Sequence, residues 1–492
     1  MAPKQFPELN KIQEEQLKAS LQQWSLSNGL VMYPPNFDSF QVNVAPITLF
    51  PTPIPRHCFD DAVAVQKIFN ELYINVVAKE TKWLVEILTD LARFDPEFTG
   101  RLFKIYQELI ADGVLQPLSL GIFRSDYMVD ATLDKIKQIE FNTVSVSFGG
   151  LSTKIGELHQ FLNATGLYDN KYNYKYYEDD EIKASPSVDE IADGLADGNY
   201  YYNEEKNSTG TIVLVVVQPN ERNSFDQKLV EYSLFQRHKI RSYRVTLEDI
   251  ESEITVSGDG KLYVKETMDE ISVVYYRSGY GPGDYDVNPE KTWQGRLILE
   301  KSRAIKCPSI LTQLSGSKKV QQLLTDKKVI NKLLPSISSS ELELLLSTFV
   351  DILPLDDDDD SEEGASLAKK LAFEEPQNYV LKPQREGGGN NIYKSEIPTF
   401  LNKLKKEEWG AYILMKLINP QTYKNKIIRN NDIYHEDIIS ELGIFGTTVF
   451  NEETGEIKTN KNAGWLLRSK FETSNEGGVA AGFGCVDNVY LY

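Results

Sequence analysis

The stretch Lys382-Pro-Gln-Arg-Glu-Gly-Gly-Gly-Asn-Asn-Ile-Tyr393 constrains this chain more than any other. It follows directly on Tyr379-Val380-Leu381, a run with the character of a strand. Three consecutive glycines, Gly387 to Gly389, forfeit backbone order, a cost tolerated mainly where a ligand must approach the main chain closely. Lys382 and Arg385 just ahead of them can meet phosphate oxygens, and the loop's own N–H groups add donors. Glu386 stands between these cations and the glycines, where a hard cation bridging phosphates needs an oxygen ligand. The alternative is a flexible surface turn. The stretch is not a P-loop, because no Gly-Lys-Ser/Thr follows, nor is it a dinucleotide fingerprint.

A chain of 492 residues, 41% hydrophobic and 25% charged, is expected to be globular with two or three domains. Nothing in it reads as a membrane span or as the hydrophobic region of a signal peptide, so the expectation is a cytoplasmic protein with no membrane partner. Three cysteines, Cys58, Cys307 and Cys485, fit a reducing compartment and show neither a disulfide framework nor zinc spacing. The formal charge of −19 argues against nucleic acid or an acidic membrane as partner. An acidic chain that binds a nucleotide must concentrate cations locally, so the basic residues beside glycines matter most.

Residues 8–28 and 60–92 read as helices with apolar faces and no evident chemistry. Tyr33 to Pro55 is extended and proline-rich. Leu120 to Phe123 reads as a strand that delivers Arg124 at its end. In the next strand Gln138, Glu140 and Asn142 alternate with Ile139 and Phe141, which puts Glu140 and Asn142 on one face as a plausible Mg²⁺ pair. An exposed polar face is the competing reading. Thr143 to Gly150 is a loop of small hydrogen-bonding groups. The tyrosine run Tyr168 to Glu181 reads as an exposed excursion, 182–199 as a helix and Tyr200 to Gly210 as a linker.

Thr211 to Gln218 is almost wholly β-branched, as in a strand buried on both faces. A helix to about His238, a strand at Tyr243–Val245 and the buried run Ile271–Tyr276 follow. The alternation predicts a small α/β segment with a parallel sheet over 205–305. Its strand ends carry Glu221-Arg222-Asn223, Gln227 and Arg277-Ser278-Gly279-Tyr280, where open α/β sheets bind ligands. Lys306 before Cys307-Pro308 and the helical Ser315-Gly-Ser-Lys-Lys are further signals. Asp356 to Asp360 is a like-charge block, read as a solvated loop. Glu441 lies inside an apolar strand and therefore needs a partner or a ligand. Leu467-Arg468-Ser469-Lys470 runs into a second glycine-rich loop, Gly477 to Gly484. His57, His159, His238 and His435 show no spacing to each other or to a nucleophile, and read as ordinary partnered side chains.

These motifs, in one order along the whole chain, resemble eukaryotic glutathione synthetase of the ATP-grasp superfamily. The resemblance rests on Tyr33-Pro-Pro, Arg124-Ser-Asp-Tyr, Gln138-Ile-Glu-Phe-Asn-Thr, Glu221-Arg-Asn, Tyr276-Arg-x-Gly-Tyr, Thr312-Gln-Leu-x-Gly-x-Lys-Lys, the triple-glycine stretch, Ser440-Glu-Leu-Gly-Ile-Phe-Gly and Leu467-Arg-x-Lys. It implies an α+β ATP-grasp fold with an inserted three-layer α/β substrate-binding domain. The domain division would be 1–204, 205–305 and 306–492, the last carrying the glycine-rich lid loops. It implies ATP, Mg²⁺ (one or two ions per subunit), γ-glutamylcysteine and glycine as reactants, and a homodimer.

By the same resemblance Glu140, Asn142 and Glu386 would hold magnesium. Glu140, Lys306, Lys382, Pro383, Gln384, Arg385, Glu386, Gly387, Gly388, Gly389, Asn390, Asn391, Tyr393, Met415, Lys416, Leu417, Ile418, Glu441, Lys470 and Glu476 would surround ATP. Arg124, Val144, Ser145, Val146, Ser147, Glu221, Arg222, Asn223, Gln227, Arg277, Ser278, Gly279, Tyr280, Arg468, Val479 and Ala480 would hold the peptide and glycine. Arg468 and Arg124 would offset charge developing at the acyl centre. Lys416 departs from the family, which commonly has Glu there. A ligase using another small amino acid such as β-alanine, and a non-catalytic nucleotide-binding regulator, remain as alternatives.

Overall fold

The computed structural model describes residues 4–206, 209–355, 362–384, 390–430, 432–474, 478–479 and 484–492. Its frame is a 13-stranded sheet. The Leu118–Asp130 strand lies within it, antiparallel to Asp432–Asn451 on one side and to Lys135–Asn142 on the other. Near its start it also meets the short Ile305–Cys307 strand in parallel, with Lys306 opposite Ser119.

That contact joins two kinds of sheet. Ile305–Cys307, Glu270–Tyr276, Ile212–Val217 and Ser242–Thr246 run parallel in that order, as the alternation of strands and helices predicts. Ile212–Val217 is buried along its whole length, consistent with helices covering both faces of a parallel sheet. The α/β segment is therefore continuous with the large antiparallel sheet through backbone hydrogen bonds. A second, four-stranded antiparallel sheet has the order Ile352–Pro354, Tyr412–Lys416, Tyr379–Pro383, Ile392–Tyr393. It carries the strand that leads into the triple-glycine stretch.

Three expectations change. The helix read over 60–92 is two helices, Arg56–Ala78 and Thr81–Phe94. The first is buried on most sides, the second only through Leu84, Leu88 and Leu91, so a break at Lys79-Glu80 lets each present its own face. The linker read over Tyr200–Gly210 is largely helix, because Ser187–Lys206 continues through it and Tyr202 is buried with its hydroxyl on Glu270. The tyrosine run is only partly exposed. Tyr168 and Tyr177 are fully buried, and the Tyr168 hydroxyl donates to the Leu49 carbonyl at 2.7 Å. Tyr177 instead packs edge-on against Tyr168 and Tyr490, and polar neighbours in sequence reveal neither kind of partner. No helix among the described residues is long and apolar enough to cross a membrane. The Asp356–Asp360 block lies outside the described residues.

Candidate active site

Strand pairing assembles the site. Residues directly opposite one another across adjacent strands project to the same face. Arg124 is opposite Asn142, and Asp126 is opposite Glu140. On the other edge Gly443 is opposite Asp126, and one strand further Arg468 is opposite Glu441. Alternation thus gathers two arginines, three carboxylates and an amide from four strands onto one side of the sheet.

Asp126 ties them together. It is fully buried and accepts from Arg124 through both oxygens, at 2.6 Å from Nε and 2.7 Å from Nη2. Oδ2 also accepts from Asn142 Nδ2 at 3.0 Å and from Arg468 Nη2 at 3.2 Å. A buried carboxylate is tolerable when its lone pairs are met this fully. The knot needs room above the neighbouring strand. A Cβ on Gly443 would stand 2.7 Å from Asp126 Oδ1 and 2.8 Å from Arg124 Cδ. Asn142 spends its N–H₂ on Asp126 and on the Arg124 carbonyl, which turns its amide oxygen the other way. Glu441, suspected from its apolar surroundings, is ion-paired with Arg468. Burial raises the Glu441 carboxyl, and with Asp126 and Glu140 close by the guanidinium offsets this only in part.

Glu140 faces two lysines. Lys318 Nζ lies 2.8 Å from its Oε2, and Lys382 Nζ donates to the adjacent Ile139 carbonyl at 3.0 Å. Burial alone would raise the Glu140 carboxyl, but the Lys318 and Lys382 ammonium groups hold it well below the usual carboxylate range. Burial pushes Lys382 down to about 8, despite the attraction of Glu140. Lys318 opens the Lys318–Leu323 helix, and its backbone N–H reaches the Gln384 carbonyl just before the triple-glycine stretch. Lys306 does not join this group. Its amine donates to the Ser302 carbonyl, and its acidic neighbours are Glu300 and Glu452, with which it lines a separate cavity of about 180 Å³.

A second cluster adjoins the first through Ser147. Arg124 Nη1 donates to the Ser147 carbonyl at 3.3 Å, and Arg277 Nη2 donates to the Ser147 hydroxyl at 2.6 Å. Arg277 also donates to the Val146 carbonyl, while the Ser145 hydroxyl bonds the Tyr276 carbonyl. The 143–148 loop is thereby fastened to the end of the Glu270–Tyr276 strand, with Ser145 in the left-handed region at φ 52°. Glu221 accepts from the Asn223 N–H and from Gln227 Nε2, which fixes that triad near the start of the Ser224–His238 helix. Gly279, at φ 91°, and Tyr280 donate their N–H groups to Asp284. Arg222 turns aside, with its Nε on the Tyr33 carbonyl. Val144, Ser278 and Val479 are buried.

Around the four-stranded sheet, Val380 is opposite both Tyr393 and Met415, and Asn391 donates to the Tyr393 hydroxyl. Pro383 and Gln384 continue that strand, and Gln384 bonds the Ala411 carbonyl. Lys416 is half exposed and pairs with Asp351 at 3.6 Å. The N–H groups of Lys416 and Leu417 go to the Asp351 and Asn378 carbonyls, leaving Ile418 as the next main-chain position along. Lys470 stands opposite Ile439 on the strand that carries Arg468, and Asn390 precedes the Ile392–Tyr393 strand. Arg385, Glu386, Gly387, Gly388, Gly389, Glu476 and Ala480 lie outside the described residues.

Sequence reasoning missed three residues of this arrangement: Asp126, Lys318 and Asp226. Asp126 was visible as the residue two positions after Arg124 on a strand, hence on its face. Lys318 was in a quoted motif, yet nothing local distinguished it from Lys306. Asp226 accepts from the N–H groups of Phe148 and Leu151 and so caps the Gly149–Ala164 helix that follows the serine loop.

The family model for the eukaryotic glutathione synthase ATP-binding domain matches residues 11–491. Glutathione synthetase large chain of Schizosaccharomyces pombe is 39% identical, covering 97% of this chain and 98% of that one. Human glutathione synthetase is 38% identical over 91% of this chain and 90% of its own. Among solved structures, a glutathione synthetase-like effector from Globodera pallida in apo form covers all of both chains at TM-score 0.76 and 21% identity, a likeness of fold. With residues 11–491 matched and Arg124, Glu140, Asn142, Glu441 and Arg468 of those motifs gathered on one sheet face, this protein belongs to the eukaryotic glutathione synthetase family, ATP-dependent ligases of the ATP-grasp fold.

Proposed function

We propose that the chain joins γ-glutamylcysteine to glycine at the expense of ATP, giving glutathione, ADP and phosphate. The observation that carries this is the Asp126 knot, which sets two arginines, the Glu140–Asn142 oxygens and the lysine pair Lys318 and Lys382 side by side. Asp126, Glu140 and Glu441 against Arg124, Arg468, Lys318 and Lys382 make three carboxylates and four cations, a face suited to polyanions.

The residues present fit magnesium. Glu140 supplies a carboxylate held ionised, and Asn142 presents an amide oxygen fixed by the bonds of its nitrogen, a hard-oxygen pair to which Glu386 would add. When bound, Mg²⁺ supplies neutralisation of phosphate charge. Lys318, paired here with Glu140, and Lys382 beside it are the two cations that would meet phosphate oxygens. In the reaction, a carboxylate oxygen of the dipeptide's cysteinyl group attacks the γ-phosphorus and ADP leaves, forming an acyl phosphate. The glycine amine then attacks the acyl carbon, phosphate leaves and the amine gives up a proton. In this reading Arg124 and Arg468 offset charge on the acyl oxygens, and the serine loop with Arg277 holds the dipeptide. An acyl phosphate hydrolyses, so the two glycine-rich stretches act as lids that exclude water.

The 205–305 segment serves the dipeptide, between ATP-grasp parts at 1–204 and 306–492. The assembly is a homodimer in the cytoplasm, a compartment consistent with three buried free cysteines. The test is turnover by purified protein with ATP, Mg²⁺, γ-glutamylcysteine and either glycine or β-alanine. Tripeptide, ADP and phosphate in equal amounts with glycine support the reading. Phosphorylated dipeptide as the final product, or preference for β-alanine, would overturn it.

A further inference from the structure

Three ligand-type groups meet away from this face, at the start of the Arg56–Ala78 helix. His57 and Cys58 lie in its first turn, and Asp134 lies in the turn between the Leu118–Asp130 and Lys135–Asn142 strands. His57 Nε2 is 3.4 Å from Cys58 Sγ and 3.5 Å from Asp134 Oδ2, and all three ligand atoms fall within 4.8 Å of one another. Sulfur, nitrogen and oxygen ligands at about 2.0–2.3 Å from a tetrahedral ion stand roughly 3.3–3.6 Å apart, the spacing that His57 Nε2 keeps from each of the other two atoms. The Asp134 carbonyl oxygen turns to the same point, 3.0 Å from Nε2 and 3.6 Å from Sγ. Asp134 holds a left-handed conformation, φ 51°, and thereby offers both its oxygens to the helix start. The Cys58 thiol forms a buried floor, while the imidazole and carboxylate are 55% and 64% exposed and leave an entrance.

We propose that His57 Nε2, Cys58 Sγ and Asp134 Oδ2 bind a borderline divalent cation of the Zn²⁺ class, which clamps the Arg56–Ala78 helix to the strand turn. The donor set of sulfur, imidazole and carboxylate selects against Mg²⁺ and separates this site from the Glu140–Asn142 oxygens. The Cys58 thiol faces the Asp134 carbonyl, and its proton leaves to solvent as the metal–sulfur bond forms.

The site stands independently of the proposed ligation, so its test does not share that reaction's fate. Full-length protein freed of metal by a chelator is titrated with Co²⁺, and Zn²⁺ then competes. A thiolate-to-cobalt charge-transfer band in the near ultraviolet is expected, at one ion per chain, lost in Cys58→Ser. His57→Ala and Asp134→Asn alter exposed side chains and keep the fold, checked by an unchanged Tm of the metal-free protein. Each should weaken Zn²⁺ at least roughly tenfold, with ligation in Mg²⁺ unaffected. No band in the wild type, a band that survives Cys58→Ser, or unchanged Zn²⁺ affinity in both exposed-site variants would overturn the proposal.

Discussion

Lys318 Nζ sits 2.8 Å from Glu140 Oε2, across 178 residues of sequence, and makes Glu140 part of an ion pair. Lys306, which the family resemblance suggested for the nucleotide, is engaged elsewhere with Ser302. The two lysines therefore make opposite predictions. Lys318→Met should raise KM for ATP roughly tenfold or more, the equivalent of a charge-assisted hydrogen bond of about 1.5–3 kcal/mol. Lys306→Met should leave that KM within about twofold and act on stability, since it removes a buried amine. Steady-state kinetics with both variants decide it, and the reverse pattern would return the role to Lys306.

Asp126 should be as costly to alter as a residue that touches substrate. Asp126→Asn leaves the buried Arg124 guanidinium without its carboxylate and removes one of two carboxylates from the partly buried Arg468, and should destabilise the fold by about 3 kcal/mol, measured by urea unfolding. Gly443→Ala tests the same knot without changing a charge. Its Cβ would meet Asp126 Oδ1 at 2.7 Å, so Arg124 must shift, and KM for γ-glutamylcysteine should rise more than KM for ATP. Equal kinetics in Gly443→Ala and wild type would show that the arginine position is not critical.

Lys416 tests whether this departure from the family matters. Its amine is half exposed and pairs with Asp351 at 3.6 Å. Lys416→Glu should change the Kd for ATP by less than about threefold at matched ionic strength, because exposed charges are worth little. A weakening of roughly thirtyfold, about 2 kcal/mol, would place the ammonium in the nucleotide site.

Lys382 should give ATP binding a pH dependence. Burial brings its pKa to about 8 from the 10.5 of an unperturbed lysine. The sign for stability follows from proton counting. Between 8 and 10.5 the unfolded chain holds the proton and the folded one does not, so this group's contribution to stability rises with pH through that window. Below 8 its burial cost is carried in full. For ATP the sign reverses, since a polyanion needs the ammonium form and affinity should fall as pH rises above about 8. Calorimetric titration from about pH 7 to pH 9.5 should show the break in wild type and its absence in Lys382→Arg, which stays charged.

The sequence by itself determined where the chemistry would concentrate. A triple glycine behind Lys382, the alternation of Glu140 and Asn142, the β-branched run from Ile212 to Val217 and a carboxylate at Glu441 are local signals. Strand periodicity and backbone cost act over a few residues, so they can be read directly. Arg124, Ser147 and Arg277 were named for one substrate by the family resemblance, and the fold brings them into one hydrogen-bonded chain. Tertiary structure decided which charges are partners. Lys318 and Lys306 are alike locally, and only the pairing of distant strands gives Glu140 to one and Glu452 to the neighbourhood of the other. It also drew Tyr168 and Tyr177 into the core and set His57 beside Asp134, because burial and charge pairing depend on what approaches from far along the chain.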